Sequence, residues 1–511
     1  MRYIFITLFL GLLPFVYSQD LSLIPYPNKV SQSAGSFEIS YIVSISSPKE
    51  IGSEVCFLNN YLKGKNIQVN PVRRNGQIKF IEKKSLPNES YTLSITKSGI
   101  TIAYADNAGA FYAFQTLRQL AQQRKDQLSF PLVEIEDRPA FSWRAFMLDE
   151  GRYFKGKVIV KNLLDEMAAL KMNVFHWHLT EEVGWRLEVK KYPRLTQIGG
   201  YRDSCRFGPL FDPLPHSGYY TQQDIAEIVR YASERHIEVI PEIDMPGHAS
   251  AAIAAYPILG THRQPFVMGN GGDVINVADS AALQVIKDIL DEVIAIFPSR
   301  TIHIGGDEVG TTAWAESNQI KNYMDKKNIQ SYGELQISFT NYLSDYLASK
   351  GRRMMGWNEI TGDLFPLTKK SESTSLAPGT LIHFWEGDIE LVRKSVERGF
   401  EVINSDRHHT YLDYPYEITP LHKSYGFNPI PTGLSPEQAL KIKGLGCQMW
   451  GEKIRQTEDM YFFIFPRIAA YAECGWTTND QKDFSRFEKA LQPFIKAWRS
   501  KGYFTKNEFR K

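Results

Sequence analysis

From Phe141 onward, short apolar runs alternate with longer stretches in which apolar residues return every three or four positions. The runs at 143–148, 173–179, 238–243, 301–304, 353–357, 380–385, 401–404 and 446–450 have strand length, and most are apolar throughout, as strands buried on both faces are. Between them, 158–170, 222–235, 281–296 and 332–349 carry the period of amphipathic helices, and 460–472 follows the last run. A final amphipathic helix is predicted after Phe484. Eight strands separated by crossovers, over roughly 340 residues, predict an α/β fold of the (β/α)8 TIM-barrel type with some long loops. A doubly wound open sheet is the alternative.

The preceding stretch has a different texture. Residues 19–137 mix short strands with one clear helix at 108–123, which follows a hairpin-like pair at 91–95 and 100–104, so a small α+β domain is expected there. Composition changes across Glu134-Ile135-Glu136-Asp137-Arg138-Pro139, which places a boundary near 137 and assigns 138–511 to the barrel with its C-terminal helix. At the N-terminus, Arg2, an apolar run over 4–16 and small residues up to Ser18 fit a secretory signal over 1–18, and with it export to the periplasm or the cell exterior. An uncleaved anchor is the competing reading, but the run is short for a membrane span.

Composition narrows the partners. The 511 residues are 43% hydrophobic and 13% aromatic, enough for a sizeable core. Lys and Arg number 59 against 57 Asp and Glu, without blocks of like charge, so nothing electrostatic calls for nucleic acid or a membrane surface. Four cysteines, Cys56, Cys205, Cys447 and Cys474, are too few for a disulfide scaffold and lack paired metal spacing. Cys447, in an apolar run, reads as packed core.

Chemistry gathers where the predicted strands end. Arg152 and Tyr153 follow the first; His176, His178, Glu181 and Glu182 mark the second; Asp244 and His248 the third; Asp307 and Glu308 the fourth. Trp357 and Glu359, Trp385 and Glu386, Tyr411 and Asp413, and Trp450 and Glu452 mark the remaining four. In a barrel all eight ends open on one face, making a pocket lined by carboxylates, one arginine and tryptophans. Aromatic faces beside hydrogen-bonding acids suit a sugar ring. Asp307 and Glu308 stand behind Gly305 and Gly306, and neighbouring strand residues share a pocket only where the strand breaks into a loop. They form one acid with a partner beside it, not two carboxylates across a substrate. Two plainer readings compete: a helix-start acidic pair, and a metal-dependent barrel hydrolase using His176 and His178, two residues apart on one strand face, with His248 and Asp307 as further ligands. His303, Trp143 and Trp177 read as core, and the glycosylation-type triplet at Asn88 carries no weight.

The segments Trp143-Arg144-Ala145-Phe146-Met147-Leu148-Asp149, Asn173-Val174-Phe175-His176-Trp177-His178-Leu179, Glu242-Ile243-Asp244-Met245-Pro246-Gly247-His248 and His303 to Val309 together resemble the β-N-acetylhexosaminidases of glycoside hydrolase family 20. Gly356-Trp357, Tyr411-Leu412-Asp413 and Pro466-Arg467 extend the resemblance through the barrel, and Tyr91 to Ile95 with the following helix carries it into the first domain. It implies an exo-acting glycosidase without a cofactor, acting on glycans with a terminal β-linked N-acetylhexosamine, in which the substrate's own acetamido oxygen attacks the anomeric carbon with overall retention. Glu308 would be the general acid and then the base, its protonated form favoured by burial and the neighbouring carboxylate. Asp307 would hold the acetamido N–H, Tyr411 the acetamido oxygen, and Trp357, Trp385 and Trp450 would wall the acetyl pocket. Arg152, Asp413 and Glu452 would bind the outer hydroxyls. Asp244 supports the site, while Glu181 and His248 would relay to Glu308. Two departures stand out. Glu181 replaces the usual aspartate, lengthening the relay, and Trp385 sits between Phe384 and Glu386 where serine and arginine are commoner. Segment 203–217 is expected above the second strand, near the leaving group. A non-catalytic carbohydrate-binding protein on the same fold would be marked by loss of Asp307, Glu308 or Tyr411, and all three are present.

Overall fold

Parallel strands buried on both faces need crossover helices to cover them, and the chain supplies both in alternation. A computed structural model describes residues 21–125, 127–207, 209–262, 272–362 and 376–503. The leader-like stretch at 1–18 lies outside them. Eight strands close a parallel barrel: β1 (Trp143–Asp149), β2 (Val174–His178), β3 (Glu238–Glu242), β4 (Thr301–His303), β5 (Arg353–Trp357), β6 (Leu381–Phe384), β7 (Glu401–Asn404) and β8 (Ile442–Met449). β8 returns to β1 in register, Met449 beside Leu148 and Gly444 beside Trp143, which closes the ring and excludes the open sheet. β8 starts four residues before the run that predicts it, because its first half pairs with both β7 and β1.

Local signals explain the crossover helices. Gln222–Ser233 begins at a capping box in which Thr221 and Asp224 satisfy each other's backbone N–H, and it turns Ile225, Ile228 and Ala232 inward. Ser280–Ile296 is capped by Asp279, whose carboxylate accepts from the Ala281 N–H, and it buries Val285, Ile286, Ile289, Leu290 and Val293 along one stripe. The helix expected at 460–472 is two, Thr457–Ile464 and Arg467–Trp476, since the residue before Pro466 is driven to extended geometry. The C-terminal helix spans Phe484–Ser500.

Ahead of the barrel, a mixed sheet runs in the order Lys29–Ser40, Gln127–Asp137, Tyr91–Thr96, Gly99–Tyr104, Ile78–Glu82, Ile42–Ser46, Gln68–Pro71. Two helices cover it where one was expected. Asn107–Leu120 is shorter than predicted, since Gln122–Arg124 pairs as a strand, and Gly52–Lys63 was missed despite Val55, Leu58 and Leu62 at helical spacing. The two domains are joined by buried ion pairs. Arg144 at the start of β1 donates to both carboxylate oxygens of Glu89, and the Lys171 ammonium donates to Asp137 at 2.8 Å and to the Tyr91 hydroxyl at 2.9 Å.

Candidate active site

The turn after β4 decides what the site can do. Gly305 and Gly306 have φ of +67° and +94°, and a Cβ on Gly305 would lie 1.7 Å from Asp244 Oδ1, so only glycine fits there. Asp244, just after β3, accepts the Gly306 N–H at 3.1 Å and receives its own backbone hold from Thr180, whose hydroxyl oxygen accepts the Asp244 N–H. Burial, and then Asp307, push the carboxyl of Asp244 well above the usual carboxylate range. It supports the loop rather than lining the cavity.

Asp307 and Glu308 emerge from this turn side by side. His248 Nε2 lies 3.6 Å from Asp307 Oδ2 and 3.6 Å from Glu308 Oε2. Both His248 and Glu308 hold left-handed backbone, φ +47° and +48°, a conformation costly for non-glycine residues and frequent where a side chain must be aimed. Asp307 is buried, and burial raises its carboxyl pKa against the pull of His248. Glu308 departs from expectation. Its side chain lines the cavity yet is 59% exposed.

His248 reaches Glu181 as the resemblance implies. Its Nδ1 lies 3.1 Å from Glu181 Oε2, so the longer glutamate spans the gap. Glu181 Oε1 lies 2.8 Å from Arg152 Nη2 and 3.1 Å from His178 Nε2. Although burial opposes it, Arg152 and His248 hold the Glu181 carboxyl well below the usual range. The His248 imidazole is correspondingly held well above its ordinary value against burial, chiefly by Glu181 and Asp307. Arg152 also donates to Asp149 at 3.0 Å, approaches Glu452 at 3.4 Å, and lies over the Trp450 ring at 5.1 Å.

Aromatic rings complete a cavity of about 470 Å³, lined among others by Arg152, Glu181, His248, Asp307, Glu308, Trp385, Tyr411, Asp413, Trp450 and Glu452. Trp385 and Tyr411 lie parallel, 8° apart with centroids at 6.0 Å. The Trp385 indole N–H donates to Glu359 at 3.0 Å, and burial, then Asp307, lifts the Glu359 carboxyl to about 8. Asp413, facing Glu452, is lifted to about 7 by burial and then by that neighbour. Trp357 is placed differently from its expected role as a wall. It is 1% exposed, beneath the cavity, packed 5.8 Å from Trp450 and 6.4 Å from Trp385. Segment 203–217 folds partly into a hairpin, Cys205–Phe207 with Leu210–Asp212, that brings Arg206, Phe207 and Leu210 to the rim.

His176 and His178 both point into the barrel and both reach Glu242, but they fall in different candidate ligand clusters. His176 groups with Glu242 and His303, whereas His178 groups with Glu181 and Asp244, and His248 and Asp307 form a third cluster with Asp244. Each cluster brings three ligand atoms within 4.8 Å of one another. The four residues of the expected metal set are therefore divided among three clusters. His303 is a satisfied core histidine, buried and accepting from the Gly305 N–H at 3.0 Å. From sequence Glu242 has no assigned role, and Glu359 is placed only at a strand end of the pocket, without a specific function. A carboxylate inside an apolar strand was the signal for the first, and a carboxylate after the Trp357 strand end was the signal for the second.

Comparison with known proteins matches residues 141–479 to the glycosyl hydrolase family 20 catalytic domain and residues 20–138 to family 20 domain 2. A beta-hexosaminidase of Porphyromonas gingivalis is 33% identical over 93% of this chain, and the chain spans 63% of that protein's length. The crystal structure of a beta-N-acetylhexosaminidase from Bacteroides fragilis superposes with a TM-score of 0.83 at 31% identity, covering 94% of this chain and 96% of that one. An exo beta-N-acetylglucosaminidase from Vibrio harveyi, solved in complex with N-acetylglucosamine, gives 0.84 at 28% identity over 96% of this chain and 79% of its own.

Proposed function

The chain belongs to glycoside hydrolase family 20, and from that premise we propose that it is an exo-acting β-N-acetylhexosaminidase that removes terminal β-linked N-acetylglucosamine or N-acetylgalactosamine by substrate-assisted, retaining catalysis. The observation that carries the reading is the adjacency of Asp307 and Glu308, each 3.6 Å from one histidine nitrogen. Retaining enzymes with a protein nucleophile place two carboxyls across the bond, roughly 5 to 5.5 Å apart. Here the two acids stand together on one side, which agrees with the substrate-assisted chemistry of the family, in which the attacking oxygen belongs to the substrate.

In this reading Glu308, exposed at the rim where the leaving group departs, gives its proton to the glycosidic oxygen as the C1–O bond breaks. The acetamido oxygen closes on C1, and the positive charge that spreads onto the amide is met by Asp307, which accepts the N–H. Tyr411 donates to the acetamido oxygen, in a pocket walled by Trp385 and Trp450 over the Trp357 floor. Water then attacks C1 with Glu308 as base, and the sugar leaves with its configuration retained. Arg152, Asp413 and Glu452 hold the outer hydroxyls and close the non-reducing end. The leader-like 1–18 stretch supports action outside the cytoplasm, and no helix among the described residues is long and apolar enough to cross a membrane.

Product analysis on oligosaccharides with terminal β-linked N-acetylglucosamine or N-acetylgalactosamine tests the reading. Monosaccharide release is expected. Release of a disaccharide would overturn the exo assignment.

A further inference from the structure

Below the cavity, four side chains converge on the carboxylate of Glu242 at the end of β3. The Trp357 indole N–H donates to Oε1 at 2.7 Å, and His303 Nδ1 lies 3.1 Å from the same oxygen. His178 Nδ1 and His176 Nε2 lie 2.6 and 2.8 Å from Oε2. Glu242 is fully buried. Because His303 Nδ1 accepts the Gly305 N–H, that ring carries its proton on Nε2, facing His383, and gives Glu242 none.

His178 has a carboxylate at each ring nitrogen, Glu242 at Nδ1 and Glu181 at Nε2. Against the cost of burial, these two carboxylates hold its imidazole well above the ordinary value, while burial drives His176 to about 4 and His383 well below. The His178 ring thus sits between Glu242 and Glu181, and Glu181 in turn meets His248.

We propose that Glu242 is a positioning residue for the reaction, holding His178 so that Glu181 is aimed at His248 and through it at Glu308, while its second oxygen fixes Trp357 under the acetyl pocket. The inference rests on the proposed glycosidase reading and extends its relay two residues deeper than the Glu181–His248 contact.

The test is a double-mutant cycle of Glu242→Gln and His248→Asn on an aryl β-N-acetylglucosaminide. Glutamine keeps an oxygen for Trp357 and puts an amide in place of the oxygen facing His178, so it cuts the histidine arm alone. Glu242→Gln is expected to lower kcat by roughly tenfold, with KM changed by less than about twofold, and the double variant to be no slower than His248→Asn. Residues acting as one unit give that non-additivity, whereas a merely structural loss multiplies. An unchanged kcat, or effects that multiply, would overturn the proposal. Should Glu242→Gln fail to fold, His178→Gln breaks the same arm one link on and enters the same cycle with the same two outcomes. Wild-type turnover of the aryl glycoside reports separately on the glycosidase reading.

Discussion

His248 holds the balance of charge at the residue scale. Its imidazole faces Glu181 through one nitrogen and both Asp307 and Glu308 through the other, so one ring links three carboxylates, of which Glu181 also meets Arg152. Glu308 is the member left at the rim, and its assignment as the acid stands on position rather than on burial. Glu308→Gln should therefore lower kcat on an aryl β-N-acetylglucosaminide by roughly 10²- to 10⁴-fold while leaving the melting temperature unchanged. Asp307→Asn keeps the shape and removes the charge that meets the developing cation, and should lower kcat by roughly 10²- to 10³-fold. Steady-state kinetics with a thermal melt check both, and activity retained by Glu308→Gln would remove it as the proton donor. The pair itself was legible in the sequence because glycines before two acids dictate a turn. The exposure of Glu308 was not, since it depends on how the turn after β4 sits at the cavity rim.

At the scale of elements, the barrel strands were legible because each is a short apolar run with a polar end, and β5 and β7 begin and end where the pattern places them. Errors fell where tertiary context outweighs period. The helical period continues across Phe465-Pro466 although proline forbids the helix there, and Gln122–Arg124 becomes a strand only because Gln127–Asp137 lies beside it. The long excursion between β2 and β3 carries three two-stranded ribbons, whose partners lie too far apart or are too short for a periodic signal. Trp357 illustrates the same limit within the site. Strand order identified it as a site residue, but whether it forms wall or floor depends on Glu242, two strands away, which draws its indole N–H inward.

For the whole molecule, the small domain is an electrostatic complement to the barrel. Lys171 and Asp137 are fully buried, and Arg144 is buried against Glu89, so these two barrel cations are paired with carboxylates of the preceding domain. Breaking such a pair leaves an uncompensated buried charge. Asp137→Asn should cost roughly 3 to 5 kcal/mol, read as a lowered denaturation midpoint, and an unchanged midpoint would show that Lys171 is satisfied without its carboxylate. The domains thus hold in place a cavity whose chemistry depends on the substrate's acetamide. That dependence is tested most directly by comparing an aryl β-N-acetylglucosaminide with the matching aryl β-glucoside, following the anomer first released by NMR. The account predicts hydrolysis of the acetamido sugar with the β-anomer appearing first, and no comparable turnover of the glucoside. Equal turnover of the glucoside, or the α-anomer first, would contradict it.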